Sequence, residues 1–336
     1  MAANDFLPFA GGAGSNVLSQ AAYAALAART AGFSAGVAKS AELNKVWRQS
    51  SLMAAVIGQI INDVTGQDAV DDGTIATLVA NLKTAIKAMP SGVVGTSRGL
   101  KCSVMTASAS AAITADELIV ESALGGNRYC LAGFSKTINL ATTGAGGMDT
   151  GAAPNNGAVA IYAIYNPTTG ASALLAVNAT SAAAPNIYGG ANMPSGYTAS
   201  ALVSVWRTNA SGQLVVGYQY ERRVSFTAAL AFSATATAAS PTSVSLAPIL
   251  PPNAVEAYGT ISAGVTGAAA NSISSSIGSS TAMVGSQSAN SNATGIVSAS
   301  NQFNVQISAS QTIFYQFTQT GGTSPSVNIF LVGYSF

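Results

Sequence analysis

The chain has 336 residues, of which 49% are hydrophobic, 7% aromatic and only 7% charged, with a formal net charge of +1. At roughly 150 residues per domain that length holds two or three domains, and the near-neutral balance gives no electrostatic case for nucleic acid or an anionic membrane. Histidine is absent, which excludes Ser-His-Asp and Cys-His nucleophilic machinery and every histidine-containing metal site.

The mean hydropathy of +0.37 reflects alanine more than large apolar groups. The strongest apolar stretch, Ala54 to Ile61, is broken by Gly58 and Gln59. A spanning helix needs roughly 20 apolar residues, so no membrane insertion is expected. Met1 to Gly12 carries Asp5 and no basic residue. It therefore does not read as a secretory leader, and the expectation is a chain made in a cytoplasm and leaving it only by lysis or within a particle. Cys102 and Cys130 are too few for a disulfide scaffold, and both are read as buried thiols, with a disulfide between neighbouring strands as the lesser alternative. Charge is unevenly spread: residues 1–101 hold 14 charged side chains, residues 102–223 hold 10, and residues 224–336 hold one, Glu256. Ser, Thr, Asn, Gln and Gly must solubilise that last third.

In chain order, Met1 to Gly14 reads as an extended arm, because Pro8 and the glycines around Gly11 oppose a helix while Phe6, Leu7 and Phe9 are large and apolar. Ala21 to Ala28 reads as a short helix, and Thr30 to Ser40 as small and flexible. Ser40 is a candidate N-cap for a long helix in which Leu43, Trp47, Ser50, Ala54, Ile57 and Ile61 step by alternating fours and threes, the spacing of a seam between helices. Val46, Met53 and Ile60 widen the stripe, so this helix is suited to face both a copy of itself and another element. Gly66 ends it. Asp71 and Asp72 open a second helix with Ile75, Leu78, Val79, Leu82, Ile86 and Met89 on its apolar face, Lys83 and Lys87 near its end, and Pro90 as its stop.

After Gly92 helical signals vanish. Leu118 to Val120, Tyr129 to Phe134, Ala158 to Tyr165, Ala173 to Val177, Ala201 to Trp206 and Leu214 to Tyr220 read as strands punctuated by Asn, Pro and Gly turns, the pattern of a sandwich. Thr227 to Ser240 reads as a linker. Val255 to Ser262, Ile296 to Ile307, Thr312 to Thr318 and Val327 to Phe336 are the clearest strands of a last domain. The final strand is apolar on both faces, which suits a subunit interface or a central sandwich strand. Gly264 to Ser300 is either a mobile contact surface or several short, weak strands. The expected fold is α+β and multi-domain: an N-terminal arm over 1–40, a helical hairpin over 41–91, a β-sandwich-like domain over 92–226, a linker over 227–240 and a second antiparallel β-domain over 241–336.

Chemistry-bearing patterns are scarce. Two cysteines cannot make a four-thiolate zinc site, and the glycine clusters at Gly11 and Gly144 lack the strand–turn–helix context of a nucleotide site. A long-range carboxylate pair such as Asp149 with Glu221 is the remaining route to glycan cleavage. No catalytic residue, metal or cofactor is expected, and the chain reads as a structural or binding protein and not an enzyme.

Several segments carry a resemblance. Asn4-Asp5-Phe6-Leu7-Pro8-Phe9-Ala10, the run Lys39 to Ser51, Thr65-Gly66-Gln67-Asp68 and Asp71-Asp72-Gly73 resemble tail proteins of tailed bacteriophages and prophages. So do Gly146 to Gly151, Ala163 to Gly170 and Tyr188 to Tyr197. The resemblance implies a tail fibre or tail-tip receptor-binding protein, a homotrimer located in the distal tail of the virion. It would attach to other tail or baseplate proteins through its N-terminal region and meet a bacterial surface glycan or pilus through its C-terminal β-domains. On that basis Leu43, Trp47, Ala54, Ile57 and Ile61 are the expected trimer interface, and Phe6, Leu7 and Phe9 the expected tail attachment. Tyr258, Asn290, Asn292 and Tyr315 are the receptor-contact candidates, the tyrosines as sugar-stacking platforms although strand aromatics more often serve the core. Two other functions compete: a structural tail-tip component that binds no receptor, and a surface-glycan depolymerase.

Overall fold

A computed structural model describes residues 2–87, 92–267 and 269–336; the expected helix positions Met89 and Pro90 lie outside these. The chain divides into two compact units, Met1–Pro90 and Ser91–Phe336.

The first unit is built on α3 (Ser40–Thr65) and α4 (Ile75–Lys87), preceded by two short helices, α1 (Gln20–Ala24) and α2 (Ala28–Ala31). Gly66 closes α3 in the left-handed conformation, as the sequence suggests. At the other end the N-cap is Lys39, not Ser40, whose hydroxyl instead accepts a hydrogen bond from Asn16 Nδ2 at 2.9 Å. Asp71 and Asp72 precede α4 and do not lie inside it; Asp72 Oδ1 accepts from the backbone N–H of Thr74 at 2.8 Å and forms the turn that leads into the helix. Among the described residues, no helix is long and apolar enough to cross a membrane.

The second unit is antiparallel β throughout its named strands. Its first part holds β1 (Ser97–Arg98), β2 (Lys101–Val104), β3 (Ser110–Glu121), β4 (Arg128–Asn139), β5 (Ala158–Asn166), β6 (Ala171–Asn178), β7 (Ala199–Arg207) and β8 (Gly217–Tyr220). β9 (Arg223–Ala234), β10 (Ala238–Ser245), β11 (Glu256–Thr266) and β12 (Ala270–Gly278) follow. β13 (Gln287–Thr294), β14 (Val297–Gln306), β15 (Thr312–Thr320) and β16 (Thr323–Ser335) complete it. Twelve strands join in one sheet along the path β14-β11-β16-β9-β8-β2-β3-β7-β5-β6, with β1 and β4 both paired to β3. The other four form a second sheet, β10-β15-β12-β13.

This topology corrects the expected division at residues 227–240. That stretch is not a linker: β9 pairs with β16 from Arg223↔Ser335 to Ala234↔Val327, and β10 pairs with β15. The stretch reads as linker because its only large side chains are Leu230 and Phe232, which sit opposite Phe330 and Ile329 of β16. One continuous apolar core runs from Val94 to Phe336, so 92–226 and 241–336 do not form separate domains. β5 and β7 are buried along nearly their whole lengths, and their continuous apolar runs follow from burial on both faces. β16 is a central strand between β11 and β9, with Val327, Ile329 and Leu331 fully buried. Among the described residues of 264–300 lie the end of β11, β12, β13 and the start of β14, with Ile273, Ile277 and Ala289 turned inward.

Candidate binding and assembly surfaces

The N-terminal arm is not free. It runs back along α3, held by polar contacts spaced down the helix. Ala3 and Asp5 bracket Ala69 through backbone hydrogen bonds, and Asn4 Nδ2 donates to the Ala55 carbonyl at 2.9 Å. The Phe9 N–H donates to Ser51 Oγ at 2.8 Å, and the Phe9 ring meets Trp47 edge-on with centroids 5.7 Å apart. Asn44 Nδ2 donates to the Asn16 carbonyl at 2.8 Å, and Lys45 sits over the Tyr23 ring. Gly58 makes the approach possible: a Cβ there would collide with the Asn4 side-chain amide. Phe6 enters a groove between α3 and α4 lined by Ala54, Ile57, Ile61, Leu78 and Leu82. Of the three expected attachment residues, Phe6 and Phe9 already rest on their own helices, while Leu7 is 75% exposed.

The expected seam also divides. Ile61 is buried inside the unit and Ala54 lines the groove beside it, so Ile61 is unavailable to a second copy. Leu43 is half-buried; Trp47 and Ile57 stay exposed. Sequence reasoning placed Met53 on the flank of the stripe and passed over Val56. With Ile57 these two occupy i, i+3 and i+4 positions, and all three are exposed. On α4, Ile75, Val79 and Ile86 are likewise uncovered. The width of the apolar stripe was legible in the sequence; what was missed is Val56, which extends it beyond what α4 and the arm cover.

In the β unit the two receptor-contact tyrosines are core residues. The Tyr258 ring lies across Gly333, where any Cβ would overlap it, and Arg223 stacks on the ring at 3.9 Å. Its hydroxyl donates toward the carbonyls of Val224 at 2.5 Å and Tyr334 at 2.9 Å. Tyr315 packs on Phe232 with centroids 4.7 Å apart. Burial pushes both phenols above their ordinary pKa. Neither ring faces solvent for stacking on a sugar.

Asn290 and Asn292 stand differently. Both are exposed on β13, on one face of its sheet. Register places Asn292, Ser272 and Thr320 in one row, and Asn290, Ser274 and Thr318 in the next. The result is an outward array of amides and hydroxyls without a charge. The edge of β13 is stitched to β14: Gln287 Nε2 donates to the Asn304 carbonyl at 2.8 Å while Gln287 Oε1 accepts from the Asn304 N–H at 3.1 Å, and Asn301 Nδ2 donates to the Ser288 carbonyl at 2.9 Å.

The carboxylates considered for catalysis sit in separate local networks. Asp149 accepts from the Tyr188 hydroxyl at 2.9 Å. Glu221, at a left-handed φ of 50°, accepts from Ser97 Oγ at 2.5 Å and from the N–H groups of Gly99 at 2.6 Å and Leu100 at 3.2 Å. No cluster of metal-ligating residues occurs among the described residues. Cys102 is buried, which raises its thiol pKa to about 12; Cys130 is exposed on β4, correcting its reading as a buried thiol.

No protein-family model and no curated protein matches the chain. Among solved structures, the crystal structure of a Bacillus thuringiensis Cry1Da tryptic core variant aligns over 76% of this chain at 7% identity with a TM-score of 0.18. The alignment spans about half, 54%, of that protein, and a likeness this slight carries no argument about fold or function.

Proposed function

We propose that the chain is a receptor-binding tail fibre or tail-tip protein of a tailed phage, mounted and trimerised through its helical unit and contacting the host surface through its β unit. The observation that supports this most is the division of surface chemistry. The helical unit leaves large apolar side chains uncovered, which in a stable protein marks a surface for a partner. The much longer β unit buries most of its large apolar groups, with Met105, Leu124 and Ile296 among those left exposed, and offers the charge-free Asn, Ser and Thr rows of β13, β12 and β15. Weak contacts of that kind gain strength when three copies act together.

The test is attachment to host cells. Purified protein should compete with phage for adsorption, and the N290A/N292A double variant should compete at least tenfold less well with unchanged unfolding behaviour. Attachment should change little between low and high salt, since screening acts on charges. Native mass spectrometry should show three copies. A trimer that assembles into particles yet never binds cells would favour the structural tail-tip role.

A further inference from the structure

Glu256 is the only charged residue after Arg223, and it lines a cleft of about 570 Å³. The cleft opens where β11 begins and where β14 and β16 end, and the loop between β12 and β13 closes its other side. Gln306, Glu256 and Ser335 are cross-strand neighbours on three adjacent strands, so an amide, a carboxylate and a hydroxyl stand in one row about 4.8 Å apart. Glu256 Oε2 accepts from Ser335 Oγ at 3.0 Å; Oε1 has no hydrogen-bond partner among the described residues. Arg223 continues the row beyond Ser335, but it stacks on Tyr258 and forms no ion pair with Glu256. Across the cleft stands Ser280, whose Oγ is buried with no protein partner, a costly state for a hydroxyl that a turn of the side chain into the cleft would relieve. The loop is preformed: Ser279 donates to the Val284 carbonyl through both its N–H and its hydroxyl, at 3.1 and 2.9 Å, and the Ser308 hydroxyl donates to the Ser279 carbonyl. Val255 and Val284 supply apolar wall.

We propose that this cleft is a binding subsite for a neutral saccharide, with Glu256 accepting from a pair of sugar hydroxyls and Gln306 and Ser280 completing the polar contacts. The inference rests on the receptor-binding reading, whose binding site it would place. A carboxylate acceptor forms charge-assisted hydrogen bonds, stronger than those of the surrounding amides and hydroxyls. The volume falls within the roughly 300–1,000 Å³ usual for small-ligand clefts. The valines suit the C–H faces of a pyranose. The same carboxylate repels acidic sugars, so the cleft selects against uronic acids.

The test is saturation-transfer NMR and titration of the full chain with the methyl glycosides of glucose, galactose, rhamnose, N-acetylglucosamine and N-acetylgalactosamine, beside methyl glucuronide. At least one neutral glycoside should bind, and glucuronide should bind more weakly. Glu256→Gln, which keeps a hydrogen-bonding partner for Ser335, should weaken binding about tenfold. Val284→Trp, at an exposed loop position, should abolish it. No binding by any neutral glycoside, equal binding by all three proteins, or a preference for glucuronide would overturn the proposal. Cell attachment separates the two readings: attachment unchanged in both variants removes the cleft and leaves the receptor-binding reading standing. Glycoside binding at the cleft by a protein that attaches to no host cell does the reverse.

Discussion

The two tryptophans of the chain mark how differently its two units use apolar side chains. Trp206 is 1% exposed on β7, its ring shut between strands and its Nε1 donating to the Val215 carbonyl at 2.9 Å. Trp47 is 53% exposed on α3, touched by Phe9 along one side. In the β unit, alternation along the strands places most large apolar groups inside. In the helical unit, two helices and an arm cannot surround an apolar stripe that is wider than one neighbour can cover. A small unit with few layers buries a smaller fraction of its surface. What it leaves open is a dense apolar stripe, whereas the large apolar groups that the β unit leaves open, such as Met105, Leu124 and Ile296, are few for its length.

The largest expected effect breaks this contrast at its two ends. Trp206→Ala should cost about 3–5 kcal/mol, as deletion of a buried aromatic does. Met53→Ala, at a residue 62% exposed, should change the stability of the isolated chain by no more than about 0.5 kcal/mol while reducing the population of the proposed trimer. Denaturant unfolding and native mass spectrometry read the two outcomes. Equal stability losses at both positions would show that the helical stripe is buried within one chain.

A smaller effect is expected where the arm crosses α3. Gly58→Ala forces a Cβ into the Asn4 amide and should cost about 1–3 kcal/mol through overpacking or release of the arm. Release would separate Phe9 from Trp47 and shift Trp47 emission to the red, read in a Trp206→Phe background. An unchanged spectrum and unchanged stability would mean that the arm does not depend on this approach. Tyr258→Phe comes next, at about 1 kcal/mol for the lost hydroxyl donor. Cell attachment should stay as it was, because the ring sits in the core and makes no outward contact.

The strands with continuous apolar runs were legible: Ala158 to Tyr165 and Ala201 to Trp206 correspond to β5 and β7. Residues 227–240 were not, because only Leu230 and Phe232 stand out from an alanine-, serine- and threonine-rich run whose pairing is with the distant strands β16 and β15. Ser275 of β12 shows the same limit. It is buried between Ile273 and Ile277 only because its hydroxyl donates to the Ala289 carbonyl at 3.1 Å, a contact to the neighbouring strand. The docking of the arm joins Phe6 and Phe9 to the helices through backbone groups and side-chain amides as well, and hydrophobic spacing is blind to those polar contacts. Of the candidate contacts, Asn290 and Asn292 lie on the surface while Tyr258 and Tyr315 do not. The composition of that surface was readable from the start, but the register that makes rows of it was not.

The smallest expected effect lies inside the β unit, at the turn between β3 and β4. Glu121 is buried there and pairs with Arg128, Nε to Oε1 at 2.9 Å, while Oε2 accepts from the Gly125 N–H at 3.1 Å. Burial alone would raise the carboxyl pKa, but the hydrogen bonds from Arg128 and Gly125 and the charge of Arg128 outweigh it, and the net direction is downward. A carboxyl held below its unfolded value binds fewer protons in the folded state. Its contribution to stability is therefore complete above the unfolded pKa and is lost as pH falls through the folded one. From neutral pH to about pH 5 the contribution of this pair should stay flat, because an unperturbed glutamate titrates near 4.3; below that it should decline. Arg128→Gln removes two of the opposing causes, so its folded pKa moves up toward the unfolded value and the decline should flatten. Chemical denaturation of both proteins between pH 7 and pH 3 measures the difference, and parallel curves would show that the pair adds nothing to the acid sensitivity of the β unit.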